Sequence, residues 1–398
     1  TGTVCALTDS GEVWCWGVGT YGVLGSAGSS DARVPVKVNL PGKATSMDVG
    51  DQHGCAVVAD GGLYCWGSNS YSRVAPGGAT GTLRPTLVTG FPPGIVKVSA
   101  VTVGLNYTCA VAGAAAELYC WGLNAQTNAG IGTGVTGVEA WPAATGLKGV
   151  TRAESGTYST CAVNSAGLHC VGLNTSGQLG LGTTVSQARF QQVAAMDGRA
   201  ITDLTMSSAN TCVITDGGTA WCWGANGNGQ LGTGATANVL SPMEMTSFLK
   251  PGPVTSLASG ANHMLAVIDG KPAPAPAYPV VEDEPLDRYS MNSAGNNAAG
   301  QLGTQNLVSS SSVVPVLWEP QGEIGQTVAF SDTSCALVDG QPWCWGAGAN
   351  GQLGNGSASN SLVPVEVTKN WEGTVTRLQA KTGTVCALTD SGEVWCWG

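Results

Sequence analysis

From Val4 onward the chain repeatedly alternates small and apolar residues over about five positions, turns, and runs back through a second apolar stretch ending in an aromatic residue and glycine. The copies read VCALTDSGEVWCWG from Val4, GCAVVADGGLYCWG from Gly54, TCAVAGAAAELYCWG from Thr108, TCAVNSAGLHCVG from Thr160, TCVITDGGTAWCWG from Thr211 and SCALVDGQPWCWG from Ser334. Period-two patterning bounded by Asp, Ser and Gly predicts a β-hairpin in each. A glycine-rich stretch follows, as in NTSGQLGLGT from Asn174, NGNGQLGTGA from Asn226 and NGQLGNGS from Asn350. Next comes a Pro-Val segment such as VPVKV from Val34 or VPVEV from Val363, and a further short strand leads to the next hairpin. Each unit therefore carries four short strands. The first cysteines of the first five copies (5, 55, 109, 161, 212) step by 50, 54, 52 and 51 residues.

Fourteen cysteines fall into seven pairs. They are Cys5 with Cys15, Cys55 with Cys65, Cys109 with Cys120, Cys161 with Cys170, Cys212 with Cys222, Cys335 with Cys344, and Cys386 with Cys396. Setting Cys5 opposite Cys15 places Val4 opposite Trp16 and Ala6 opposite Trp14, so a small residue faces a large one. The same register sets Gly54 against Trp66, Ala56 against Tyr64, Ser334 against Trp345 and Ala336 against Trp343. Both cysteines of a pair then share one face of the hairpin, close enough for a cross-strand disulfide. Zinc fits poorly, because ligand cysteines usually stand two to four residues apart and the only histidines are His53, His169 and His263. Persistent disulfides point to an oxidising compartment, extracellular or at the cell surface.

One copy has lost its cysteines together. GANHMLAVIDG from Gly260 puts Leu265 at the first cysteine position, and after an insertion YSMN from Tyr289 puts Ser290 at the second. Seven units precede residue 382, with the insertion at 271–288 in the sixth. Four-stranded repeats that hide their sheet edges close most naturally into a radial array, so the expected fold is all-β, a seven-bladed β-propeller of four-stranded blades with a disulfide across most hairpins.

The composition narrows the partners. Charged residues are 11 % of the chain, Gly counts 59, and the net charge is −10. No basic run is present to release counterions from a phosphate backbone, so nucleic acid is not an expected partner. No apolar stretch approaches eighteen residues, so no membrane insertion by a helix is expected. Residues 1–17 show no charged leader with an apolar core.

The GQLG loops at Gly177, Gly229, Gly300 and Gly351, with the alternating strand and the strand ending in WG, resemble the regulator of chromosome condensation repeat. That resemblance covers nearly the whole chain and implies a seven-bladed propeller. It says little of function, since the family includes a nuclear exchange factor, a plant light receptor and secreted bacterial propellers that inhibit β-lactamases. The cysteine pairs resemble the secreted branch.

Residues 1–17, TGTVCALTDSGEVWCWG, recur identically at 382–398. Three readings stay open: a further repeat of a tandem array, an artefact of circular closure, or a hairpin that completes a blade in a neighbouring molecule. No catalytic residue, metal site or cofactor is expected. The recurrent acids Asp9, Asp60, Asp216 and Asp339 sit in tight turns, where Asp bonds its own backbone. The histidines read as packing or surface residues. The insertion KPAPAPAYPVVEDEPLDRYS, with its stiff prolines, carries Glu282, Asp283, Glu284 and Asp287 and is the candidate partner-binding loop. Sequons at Asn106, Asn174 and Asn355 are glycosylation candidates. Together these features suggest a non-catalytic extracellular protein that binds other extracellular proteins or copies of itself, plausibly as a module of a surface or fibrous assembly. The alternatives are a secreted inhibitor or receptor that caps an extracellular enzyme and, more weakly, a guanine-nucleotide exchange factor.

Overall fold

The computed structural model describes residues 3–8, 10–77, 80–95, 97–124, 137–245, 252–259, 262–269, 289–318, 322–381 and 383–398. Each sheet is a meander in which strands neighbour one another in chain order. The first holds β1 (Thr3–Leu7), β2 (Val13–Gly17) and β3 (Ala32–Lys37). The second holds β4 (Ala44–Val49), β5 (His53–Val58), β6 (Leu63–Ser68) and β7 (Gly81–Leu87). The third holds β8 (Val98–Val103), β9 (Tyr107–Ala112), β10 (Glu117–Asn124) and β11 (Gly137–Ala144). In the fourth are β12 (Arg152–Ser155), β13 (Ser159–Asn164), β14 (Gly167–Gly172) and β15 (Gln187–Gln192). The fifth has β16 (Ile201–Met206), β17 (Asn210–Thr215), β18 (Ala220–Gly224) and β19 (Val239–Glu244). The sixth has β20 (Val254–Ser259), β21 (His263–Asp269), β22 (Tyr289–Gly295) and β23 (Ser310–Pro315). The seventh has β24 (Ile324–Phe330), β25 (Thr333–Val338), β26 (Gln341–Gly346) and β27 (Ser361–Glu366). The last holds β28 (Val375–Lys381), β29 (Thr384–Thr389) and β30 (Val394–Trp397).

The described residues thus form eight blades, not the expected seven. The difference comes from the duplicated hairpin. Its first copy pairs with the strand after it, β3, and its second copy pairs with the strand before it, β28. Each identical hairpin has its own third strand, so the two do not compete for one blade. Contacts divide the chain into two compact units, Thr1–Thr211 with Val239–Pro242, and Cys212–Asn238 with Met243–Gly398. Among the described residues no helix is long and apolar enough to cross a membrane.

The predicted hairpin register is observed in the first, second and seventh blades: Val4 opposes Trp16, Gly54 opposes Trp66 and Ala336 opposes Trp343. The sixth blade corrects the sequence alignment. Leu265 stands opposite Ser293, while Ser290 pairs with Ile268. Ser293 rather than Ser290 therefore occupies the second cysteine position. The WG glycine fixes this, since Gly67 pairs with His53 and Gly295 pairs with His263 in the same way. At Gly67 the strand breaks register against β7, φ is +100°, and an added Cβ would lie 2.5 Å from the Gln52 carbonyl oxygen. Only glycine fits such a bulge, which is why the unit ends in WG.

Tryptophans of the WG position are wedged between sheets. Trp66, Trp121 and Trp345 are fully buried, Trp121 among Val74, Val88, Val101 and Val103. Burying both faces of a strand pair leaves few positions for charge, which accounts for the low charged fraction.

Candidate functional site

Six of the seven expected cross-strand disulfides are formed: Cys5–Cys15, Cys55–Cys65, Cys109–Cys120, Cys161–Cys170, Cys212–Cys222 and Cys335–Cys344. Their Cα atoms lie 4.0–4.2 Å apart. Cys386 and Cys396 face each other at the same register position. The bonded sulfurs are buried, so none of these cysteines offers a nucleophile.

A recurring latch ties glycine loops to the blade that follows, as three of them show. The Val23 carbonyl accepts from the Trp66 indole N–H at 2.8 Å. Arg73 O accepts from Trp121 Nε1 at 3.0 Å and Thr108 Oγ1 at 2.8 Å. Gln301 O accepts from Trp345 Nε1 at 3.0 Å and Ser334 Oγ at 2.9 Å. The latch explains two histidines. Because the Thr108 and Ser334 hydroxyls each spend their proton on a carbonyl, His53 and His263 donate from Nε2–H to those oxygens, at 2.9 and 3.0 Å. They are therefore buried bridges between neighbouring blades.

Burial pulls the His263 imidazole down to about 4. The folded protein thus holds it neutral where the unfolded chain, near 6.5, takes up a proton. A depressed folded value gives stability that is present above pH 6.5 and lost as pH falls towards 4. We expect a loss of about 3 kcal/mol across that window. Denaturant unfolding at stepped pH should show it, and His263→Gln, which keeps a donor towards Ser334, should flatten the slope.

The described glycine loops divide into two kinds. In four of them a glutamine carbonyl reaches back two residues to an amide: Ser176 N–H donates to Gln178, Asn228 to Gln230, Ala299 to Gln301 and Asn350 to Gln352, at 2.7–3.0 Å. In the first two loops Val23 and Arg73 occupy the glutamine slot. With no side-chain carbonyl to hold it, the equivalent residue turns left-handed, and it is a tyrosine both times: Tyr21 at φ 62° and Tyr71 at φ 67°. A bulky residue in that region costs of order 1–3 kcal/mol and is a reason to look for function. Tyr21 is 54 % exposed and Tyr71 47 %.

These tyrosines stand beside other exposed apolar side chains. The turn Thr20–Gly22 backs onto β7, where Leu83 is exposed, and Ala27 N–H donates to the Leu83 carbonyl at 2.9 Å. The turn Ser70–Ser72 lies against β11, which carries exposed Val138 and Trp141. Tyr21, Tyr71, Leu83, Val138 and Trp141 thus reach solvent along the first three blades. The signal in the sequence was Tyr where sister loops have Ser, Asn or Ala, and it went unread.

The other predicted positions fare differently. Glu282, Asp283, Glu284 and Asp287 lie outside the described residues, in the segment joining β21 to β22. Asn174 is fully buried, and its amide donates to the Thr183 and Val185 carbonyls at 2.8 and 3.1 Å, so this fold has no place for a glycan there. Asn106 accepts from the Arg73 guanidinium, and the Thr108 hydroxyl of its sequon is committed to the latch. Asn355 is half-buried and accepts from the Ser357 amide at 3.1 Å. Asp60 accepts from the Gly62 amide at 2.8 Å, as turn chemistry requires. Asp9 lies outside the described residues.

Successive four-stranded meanders with wedged aromatics define a β-propeller. The regulator of chromosome condensation (RCC1) repeat model matches residues 10–57, 60–111, 217–267 and 339–379, and a second model of that repeat matches 44–73 and 201–230. The chain belongs to the RCC1 repeat family. It is 31 % identical over 169 residues to the dog X-linked retinitis pigmentosa GTPase regulator, covering 42 % of this chain and 15 % of that protein. To the mitochondrial RCC1 domain-containing protein RUG3 of Arabidopsis thaliana it is 28 % identical, covering 67 % of this chain and 63 % of the relative. The chain thus spans less than two thirds of these relatives. Human WBSCR16 superposes with a TM-score of 0.71 at 18 % identity, covering 95 % of this chain and all of that one. Yeast Prp20p, studied for its binding to Gsp1p and histones, gives 0.65 at 18 % identity, covering 90 % and 86 %. These likenesses show the propeller fold.

Proposed function

We propose that the chain is a non-catalytic, disulfide-stapled propeller that binds other proteins outside the reducing cytosol. The observation that carries the reading is the pair of strained, exposed tyrosines, Tyr21 and Tyr71, beside Leu83, Val138 and Trp141. Such amphipathic aromatics dominate the energetics of protein interfaces. Support also comes from relatives whose propellers bind proteins, Prp20p among them. The disulfides favour an extracellular or cell-surface setting, and capping of a secreted enzyme is one form such binding takes.

Affinity capture from the native secreted fraction, followed by titration of the captured partner, tests the reading. The Tyr21→Ala, Tyr71→Ala double variant should weaken binding at least tenfold while its thermal midpoint stays within a few degrees. Unchanged binding would remove the tyrosine strip from the interface. Exchange-factor activity rests on family likeness alone. Accelerated nucleotide release from a small GTPase would replace the present proposal.

A further inference from the structure

In the first seven blades the strand after the hairpin, the fourth of the repeat, is a sheet edge, and its backbone directions can be worked out. Cα atoms about 4 Å apart across the disulfides mark pairs that exchange no backbone hydrogen bonds within the hairpin. The second cysteine therefore turns its amide and carbonyl to the fourth strand, where Cys15 meets Val36, Cys65 meets Thr86, Cys120 meets Ala143, Cys170 meets Gln191 and Cys344 meets Val365. Two residues later the chain again bonds inward: Val38, Val88, Thr145, Val193, Met245, Val316 and Val367 donate to their own sheets at 2.8–3.0 Å. Alternation leaves the residues between and just before these inward positions pointing out of the blade.

Six of the seven fourth strands carry a proline at one of those outward positions: Pro35, Pro85, Pro142, Pro242, Pro315 and Pro364. Proline has no N–H, so each removes a donor that another strand would need. The earlier half of the edge is covered in another way. The preceding loop donates to it from Ala27 to Leu83, from Gly182 to Leu240, from Gly234 to Ser311 and from Gln305 to Leu362. Proline thus guards the half that the loop leaves open.

β15 is the exception. Its outward positions hold Phe190 and Gln192, and both keep their amides. Charge is missing as a guard too: where β3, β19 and β27 present Lys37, Glu244 and Glu366, β15 presents Gln192. Its one charged residue is the exposed Arg189.

We propose that β15 is the seam through which two copies of this chain associate, the edges pairing antiparallel about a two-fold axis at Gln191. A second copy fits because the edge is self-complementary. Each Phe190 meets a Gln192, giving up to four backbone hydrogen bonds, and each Arg189 meets a Val193, so no like charges oppose. In a chain of net charge −10, the strand itself carries no carboxylate, and the nearby Asp197 is engaged by the Gln192 side-chain amide at 2.9 Å. A two-fold pairing closes on itself, and each of the other six outer strands lacks a donor at one of the two matching positions. This inference does not depend on the foreign protein proposed above, and neither tyrosine takes part.

Sedimentation of the wild type and of Phe190→Pro tests it. That substitution installs the residue type of the sister strands; because it also removes a ring packed against the core, a cooperative thermal transition retained at a lower midpoint confirms that the fold is kept. Wild-type weight-average mass should rise towards twice the monomer as concentration goes from about 1 μM to about 1 mM, while F190P stays monomeric. A synthetic peptide of residues 186–193 in excess should return the wild type to monomer. A wild type that remains monomeric throughout overturns the proposal, even if it binds the peptide, since the edge would then serve a different protein. Equal association of both variants also overturns it.

Discussion

Reducing the six cross-strand disulfides should unfold the protein at 25 °C. Each bond closes a loop with a sequence separation of 9–11 residues. In the chain-entropy model a loop of that size is worth roughly 2.7 kcal/mol, and the six loops do not overlap, so their contributions total about 16 kcal/mol. Folded proteins usually hold about 5–15 kcal/mol in all. The blades cannot lose that much and persist, even though the apolar wedges stay in place. Circular dichroism with and without a phosphine reductant should show loss of the cooperative thermal transition. Removing a single pair, as in Cys335→Ser with Cys344→Ser, should instead lower stability by about 2–3 kcal/mol and leave the rest folded. A reduced protein that melts as the oxidised one does would also remove the argument for an oxidising compartment.

Arg73→Ala should be among the most damaging single substitutions. The guanidinium is 1 % exposed and satisfied entirely by neutral acceptors. Nε donates to the Ser68 carbonyl at 2.9 Å, Nη1 to the Leu105 carbonyl at 3.0 Å and to Asn106 Oδ1, and Nη2 to Gln52 Oε1 at 2.7 Å and to Ser68 Oγ. Burial draws its pKa down to about 10, so it stays cationic at neutral pH and draws these oxygens together. Truncation leaves buried carbonyls without donors and opens a void under the second loop. A cost of about 3–5 kcal/mol in urea unfolding is expected. Arg73→Gln should cost less, because glutamine is the residue of four sister loops and its carbonyl can take the Tyr71 amide. The Tyr71 backbone should then leave the left-handed region, which a crystal structure of the variant would show.

Much of this was legible in the residues. Setting paired cysteines opposite one another fixed the hairpin register, and the small-against-large pairing that resulted, as at Ala56 and Tyr64, supported it, because a period-two strand fixes which residues share a face. Two errors have physical causes. Placing Ser290 at a cysteine position came from aligning forward across an insertion, when the bulge glycine, Gly295, was the firm anchor. Counting seven blades stopped at residue 381 and left the place of the second hairpin open, whereas its pairing with β28 builds an eighth sheet. What escaped was three-dimensional. A glutamine two residues away decides whether Tyr71 folds back or projects, and the outward direction of Phe190 depends on hydrogen bonds two strands distant. No local pattern encodes either.

The carbonyl latch makes three seams observable from the neighbouring tryptophan. Trp66, Trp121 and Trp345 each commit an indole proton to the loop of the preceding blade. Deuterium uptake at those nitrogens is therefore a clock for the parting of one blade from the next, read separately at three points on the chain. Slow uptake at all three would describe blades that part together, and unequal uptake would locate the weakest joint.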